Sequence, residues 1–235
     1  MQIRVVTSRN NSLALIALAF SCSTFTLSNA ADKPVVGDPN RVVNILEEPR
    51  HRTVHRDGDI YVLDVQINPG DMTLQHTHNA PILYTFISSG KGPSGGRLSS
   101  NTDYVTKNYT HQVGNEGPGL FRIIALTNYG PPIDELKADR PTGIEAEPEI
   151  ENPWLRAYTM TLQPGKSTAM QTHRNPSLIV QTEDGLLHVT REDGITSELT
   201  AMGSWAWRNA NSTYQIRNLG ATPVKITISE ARRAR

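Results

Sequence analysis

The stretch "LQHTHNAPILYTF" (74–86) sets two histidines, His76 and His78, one residue apart and then runs into an apolar segment. On a β-strand, residues i and i+2 point to the same face, so the two imidazoles would project together. If that face is a barrel interior, two neutral imidazoles without acceptors are costly to bury. A metal ion would satisfy one nitrogen on each ring. The competing reading is a partly exposed pair, hydrogen-bonded locally. The elements that hold the pair decide between them.

Those elements occur twice. "INPGDMTLQHTHNAPILYTFISSG" (67–90) aligns without a gap with "LQPGKSTAMQTHRNPSLIVQTEDG" (162–185), at an offset of 95 and with 8 of 24 positions identical. Pro69/Pro164, Gly70/Gly165, Thr73/Thr168, Thr77/Thr172, His78/His173, Pro81/Pro176, Leu83/Leu178 and Gly90/Gly185 coincide. Upstream of each copy, "YVLDVQI" and "RAYTMTL" alternate with the period of a half-buried strand. Tyr61, Leu63, Val65 and Ile67 would share one face, as would Tyr158, Met160 and Leu162. Downstream, "HQVGN" (111–115) corresponds to "YQIRN" (214–218), each followed by a β-rich run. Short strand-like segments punctuated by Gly and Pro, without long amphipathic helices, imply an all-β sandwich or barrel, repeated.

The 235 residues carry 23 basic and 23 acidic side chains and a single cysteine, Cys22. Arg4 and Arg9, the apolar run "LALIALAF" (13–20) and the small residues of "LSNA" have the layout of a secretory signal peptide cut after Ala30. A periplasmic or secreted protein is expected. No stable membrane anchor would remain after cleavage, because the apolar run is too short to span a bilayer comfortably. Cleavage removes Cys22, so a metal would have to be held by His, Asp, Glu or water. The near-neutral remainder gives no electrostatic case for nucleic acid or an anionic membrane. A small-molecule substrate is the expected partner.

Other features read as structural. "PPIDELKADRPTGIEAEPEIENP" is acidic and Pro-rich, a solvated connector or interdomain strap. The tail "ARRAR" reads as a frayed end. His51 and His55, in "PRHRTVHRDGD", read as a solvated approach to the first strand. Trp205 and Trp207 share a strand face and suit packing. Tyr84, Tyr104 and Tyr109 lie near the histidine pair in sequence, and one could serve as a proton donor.

The repeat resembles the cupin superfamily of jelly-roll β-barrels. The family's first motif is Gly, five residues, His-x-His, three or four residues, Glu, six residues, Gly. Gly70, His76, His78 and Gly90 fit it. The second motif ends in His, three residues, Asn, which His111 and Asn115 fit. The chain departs where the motif's Glu should stand, at Ile82 or Leu83, and lacks the glycines and proline expected before His111. In the second copy the ligand positions read Gln171, His173 and Tyr214. Gln171 is a poor ligand, and Tyr214 would have to ionise from an ordinary pKa of about 10. His173 then reads as a hydrogen-bonded core histidine, or the three line a metal-free pocket for an organic ligand.

The resemblance implies two tandem cupin barrels. The expected order is signal peptide 1–30, N-terminal arm 31–48, metal-binding barrel 49–130, linker 131–152 and degenerate barrel 153–230. It implies a divalent transition metal on His76, His78 and His111, with positions left open for catalysis. Fe(II) is favoured by likeness to three-histidine dioxygenases; Zn, Mn, Ni and Cu also suit imidazole. An exported dioxygenase-like oxidoreductase acting on a small molecule is the function expected. A lyase or isomerase, or a non-catalytic metal or small-molecule binder, is the alternative. The second barrel would supply packing, a homodimer surface or part of a substrate pocket.

Overall fold

A computed structural model describes residues 41–234, so the signal-peptide segment and most of the arm lie outside the described residues. The first half contributes β1 (Val42–Asn44), β2 (His51–Asp57), β3 (Ile60–Ile67), β4 (Gln75–His78), β5 (Ile82–Ser89), β6 (Pro93–Asn101), β7 (Tyr109–His111) and β8 (Phe121–Asn128). The second half contributes β9 (Ile150–Glu151), β10 (Leu155–Leu162), β11 (Gln171–His173), β12 (Ser177–Gln181), β13 (Leu187–Arg191), β14 (Thr196–Leu199), β15 (Trp205–Arg208), β16 (Ser212–Asn218) and β17 (Val224–Ala231). Each half is a pair of sheets. The first pairs β1-β4-β7 with β2-β3-β8-β5-β6; the second pairs β11-β16-β13-β14 with β15-β12-β17-β10-β9.

The alternation read from sequence places one core inside each pair of sheets. Leu63, Val65 and Ile67 pack with Ile82 and Ile123 in the first, and Leu162 packs with Ile216 and Ile226 in the second. The opposite faces of the two five-stranded sheets are also apolar and meet in a third core. There Val62, Leu83 and Leu126 pack against Leu155, Leu178 and Val180, with Trp205 and Trp207 alongside. Strands buried on both faces read as continuous apolar runs, which is why β12 is buried at every position. Burying each such Leu, Ile or Val contributes about 1.5–3 kcal/mol, so this interface holds the halves together.

The repeat is preserved down to its turns. Asn115 Nδ2 donates to the carbonyls of Ile67 and Gly119, and Asn218 Nδ2 donates to those of Leu162 and Thr222. Thr73 Oγ1 accepts from the Val113 N–H, as Thr168 Oγ1 accepts from Ile216. Gly90 sits at φ +77°, where an added Cβ would lie 2.1 Å from Asn115 Oδ1. Only glycine fits there.

Three expectations are corrected. The arm is not outside the first barrel: β1 lies parallel to β4, with Val43 opposite His76. The linker is not merely solvated. Its strand β9 pairs with β10, and its Asp139 and Glu151 bind the buried Arg156. The tail is not frayed at Arg232, which is fully buried and bonds Asp139 and the Leu136 carbonyl. The connector and the tail look solvated in sequence because their partners, Arg156 and Asp139, lie far away along the chain.

Candidate metal centre

Strands β4 and β7 pair antiparallel with His76 opposite His111, and this register brings the third histidine beside the first two. One nitrogen from each of His76, His78 and His111 lies within 4.8 Å of the others. His76 Nδ1 donates to the Leu74 carbonyl at 2.9 Å, which leaves the Nε2 lone pair free; that atom is buried and has no partner. Nε2 of His78 and Nε2 of His111 stand 3.0 Å apart. An orphaned buried nitrogen beside two imidazoles whose Nε2 atoms meet is a poor arrangement on its own and a good one for a cation. The donor set fits a divalent transition metal.

Burial pushes His76 down to about 4, with the neighbouring histidines adding to it, and His78 down to about 3. Burial also lowers His111, with His51 contributing. All three are therefore neutral near pH 7, the form that ligates.

The motif's missing carboxylate is now placed. Ile82 belongs to the core on the histidine side of β5, whereas Leu83 faces the core between the halves. Neither could be replaced by a carboxylate without disturbing packing. A fully buried carboxylate, Glu48, bonds His51 and lies outside the three-histidine group. Burial works against its ionisation, but bonds from His51 Nδ1 (2.6 Å) and the N–H groups of Leu74 and Arg50 outweigh this and hold it below the usual range. His51 is the other residue missed. Its ring lies 4.4 Å from that of His76, and it is buried, not solvated. It stands opposite Val65 and so shares the inward face. The register shift between Thr53 and His55 turns His55 the other way, onto Trp207. No repeat or spacing signals His51; only the pairing of β2 with β3 does.

A cavity of about 340 Å³ opens beside the histidines. His51, His78 and His111 lie on its polar side, with Phe86, Phe121, Val65 and Ile123 among its apolar walls and Tyr84, Tyr104 and Tyr109 grouped at one side. Tyr84 Oη stands 3.4 Å from His78 Nδ1, and burial raises its pKa well above the ordinary phenol range. Tyr104 and Tyr109 are parallel, with ring centroids 5.6 Å apart.

No family model matches the chain, and no curated protein matches it. Solved structures do. AerE from Microcystis aeruginosa aligns over 79% of this chain and 98% of its own, at 10% identity and TM-score 0.52. Salicylate 1,2-dioxygenase from Pseudaminobacter salicylatoxidans aligns over 74% of this chain and 71% of its own, at 11% identity and TM-score 0.53. The chain has the cupin fold.

In the second cupin barrel the same register holds, with Gln171 opposite Tyr214. Here the polar atoms satisfy one another. His173 Nδ1 lies 2.8 Å from Glu230 Oε1, its Nε2 lies 3.0 Å from Gln171 Oε1, and Tyr214 Oη lies 3.1 Å from Ser177 Oγ. Gln171, His173 and Tyr214 come together and are fully buried, with the His173 and Tyr214 rings stacked. In this geometry each of the three polar side chains has a hydrogen-bond partner inside the barrel.

The depressed histidines give the metal-free protein a pH dependence. The unfolded chain takes up protons from about pH 6.5 downward, while the folded chain refuses them until about 4 and 3 at His76 and His78. Stability is fully present above 6.5 and is lost as pH falls through that window. At about 1.4 kcal/mol per pKa unit, the melting temperature should drop by roughly 10 °C or more between pH 7.5 and 4. A scan showing no drop would contradict the burial of these imidazoles.

Proposed function

We propose that this protein is an exported metal-dependent enzyme acting on a small apolar molecule, with dioxygenase-type oxidation as its chemistry. The observation that carries this reading is the orphaned Nε2 of His76, placed beside the Nε2 atoms of His78 and His111 at the edge of an aromatic cavity. Three neutral protein ligands leave positions for a substrate, in contrast to a closed structural site. A divalent ion bound there, Fe(II) by preference, would supply Lewis acidity and one-electron chemistry. The protein's own part is to orient and to exclude water. Leu74 fixes the tautomer of His76, apolar side chains make up much of the cavity wall, and Tyr84, Tyr104 and Tyr109 line the same cavity. Likeness to a protein named salicylate 1,2-dioxygenase supports the oxidative class. The basic and apolar segments of residues 1–30 support export.

The test is oxygen uptake. Protein loaded anaerobically with Fe(II) and supplied with a panel of aryl hydroxyl compounds should consume dioxygen with at least one of them. His78→Ala should consume none. Turnover of a substrate without oxygen uptake would replace the oxidase reading with a lyase or isomerase.

A further inference from the structure

The two barrels differ at one sheet edge. In the second, β16 has a strand on either side, β11 on one and β13 on the other. The hairpin β13–β14 lies between β12 and β15 in the chain, and its Leu187, Val189 and Leu199 help to fill the barrel core. In the first, β5, the counterpart of β12, turns directly into β6 through residues 90–92, so this hairpin is missing. There β7 has β4 on one side and, among the described residues, no strand on the other.

The repeat gives the register of that edge residue by residue. "NYTHQVGN" (108–115) aligns with "NSTYQIRN" (211–218). Val113 exchanges hydrogen bonds with Thr73 as Ile216 does with Thr168. Along a strand, the N–H and carbonyl groups of successive residues point to opposite edges. Those of Gln215 and Arg217 therefore face β13, where they stand opposite Thr190 and His188. Those of Gln112 and Gly114 point out of the sheet, and both residues are exposed. Burial follows the same difference. Tyr214 and Ile216 are fully buried, whereas His111 and Val113, in the same places, are half-buried.

The open edge runs into the cavity, because Tyr109, His111 and Val113 belong to both. A strand laid against it in the register of β13 would set one side chain opposite Val113 and another opposite Asn115, both on the inward face. Val189 and Leu187 stand so opposite Ile216 and Asn218. The walls awaiting them, Val65, Phe86, Phe121 and Ile123 among others, are apolar. A second copy paired through the same edge would present its own His111 and Val113 to those walls, a poorer match than two aliphatic side chains.

We propose that the edge Thr110–Gly114 binds an extended peptide as an added antiparallel strand, which inserts apolar side chains from two alternate positions into the cavity. Backbone hydrogen bonds to Gln112 and Gly114 would supply affinity, and the cavity would supply the preference for apolar residues. Binding of this kind needs no metal, so it stands or falls apart from the metal centre.

The probe is a fluorescein-labelled peptide with the sequence of residues 185–192, "GLLHVTRE", titrated by fluorescence anisotropy into the full chain kept metal-free by a chelator. In β13 the His188 and Thr190 nitrogens face β16, whereas the neighbouring Arg191 N–H faces away and donates to the Ile195 carbonyl. Saturable binding is expected. N-methylation of the peptide at both His188 and Thr190 should weaken it at least about tenfold, and N-methylation at Val189 should leave it within about twofold. Leu187→Ser with Val189→Ser in the peptide should also cost at least about tenfold. A photoreactive benzoylphenylalanine in place of Val189 should crosslink within the first barrel. Every change is made in the peptide, so the folding of the protein is undisturbed. No saturable binding, equal losses from the two N-methylation patterns, no loss with the serine peptide, or crosslinks confined to the second barrel would overturn the proposal. A dimer in sedimentation that excludes the peptide would also overturn it and assign the edge to a second copy.

Discussion

Replacing His76 with alanine is expected to lower affinity for a divalent transition metal by at least about a hundredfold, and His111→Ala should do the same. His76 is the more telling position. Its Nδ1 is committed to the Leu74 carbonyl, its Nε2 has no hydrogen-bond partner among the described residues, and the residue is fully buried. His111 is half-buried at the cavity edge and faces His76 across the β4–β7 pair. His173→Ala is the matched control. It removes the histidine that the repeat aligns with His78, but from a barrel where Glu230 and Gln171 already occupy both ring nitrogens. That variant should bind metal as the wild type does and lose stability instead, because Glu230 gives up one partner. Competition against a chromophoric chelator would read all three affinities. Metal loss in His173→Ala, with retention in His76→Ala, would reverse the assignment of the barrels.

The largest stability effect should come from a residue far from that site. Arg156 is fully buried and bonds three carboxylates: Glu230 (2.8 Å), Asp139 (2.7 Å) and Glu151 (2.8 Å). It also bonds the carbonyls of Leu136 and Asp139, so it ties the connector to the second barrel. Arg232 bonds the same Asp139 oxygen as Arg156, and Asn175 donates to the other oxygen of that carboxylate. Burial alone would raise the Asp139 pKa, but these partners outweigh it and hold the carboxyl at about 2. Arg156→Met keeps much of the apolar stem, removes the arginine partner of the fully buried Glu230, and leaves Asp139 and Glu151 with one arginine each, Arg232 and Arg140. Breaking such a network costs about 3–5 kcal/mol, far more than an exposed pair. Urea unfolding should show the lower midpoint, and limited proteolysis should cut first within residues 131–149. A change below about 1 kcal/mol would mean that Arg232 alone holds the strap.

The sequence carried the fold and the three histidines because both depend on local pattern. Period-two alternation fixed which side of β3 and β10 faces inward, and the separate downstream match of "HQVGN" with "YQIRN" placed His111 and Tyr214 at the same register without any knowledge of the pairing. What was hidden depends on contacts across long separations. Glu48 meets Leu74, Asp139 meets Arg232, and β1 joins β4, and in each case the partner lies more than twenty residues away, beyond the reach of local pattern. His51 was hidden for a second reason. It precedes a bulge, so His51 and His55 look alike in sequence while one faces the cavity and the other faces Trp207. The fate of the motif's carboxylate shows the same limit. Ile82 and Leu83 announce its absence, but nothing near them indicates that a buried acidic residue, Glu48, bonds the neighbouring His51.

The central claim is that His76, His78 and His111 hold one divalent transition metal. It is tested most directly by elemental analysis of protein reconstituted anaerobically with Fe(II), and separately with Zn(II), after gel filtration. The account predicts one ion per chain in the wild type and none in the variant lacking all three histidines. A wild type without metal, or a triple variant that retains it, would contradict the account.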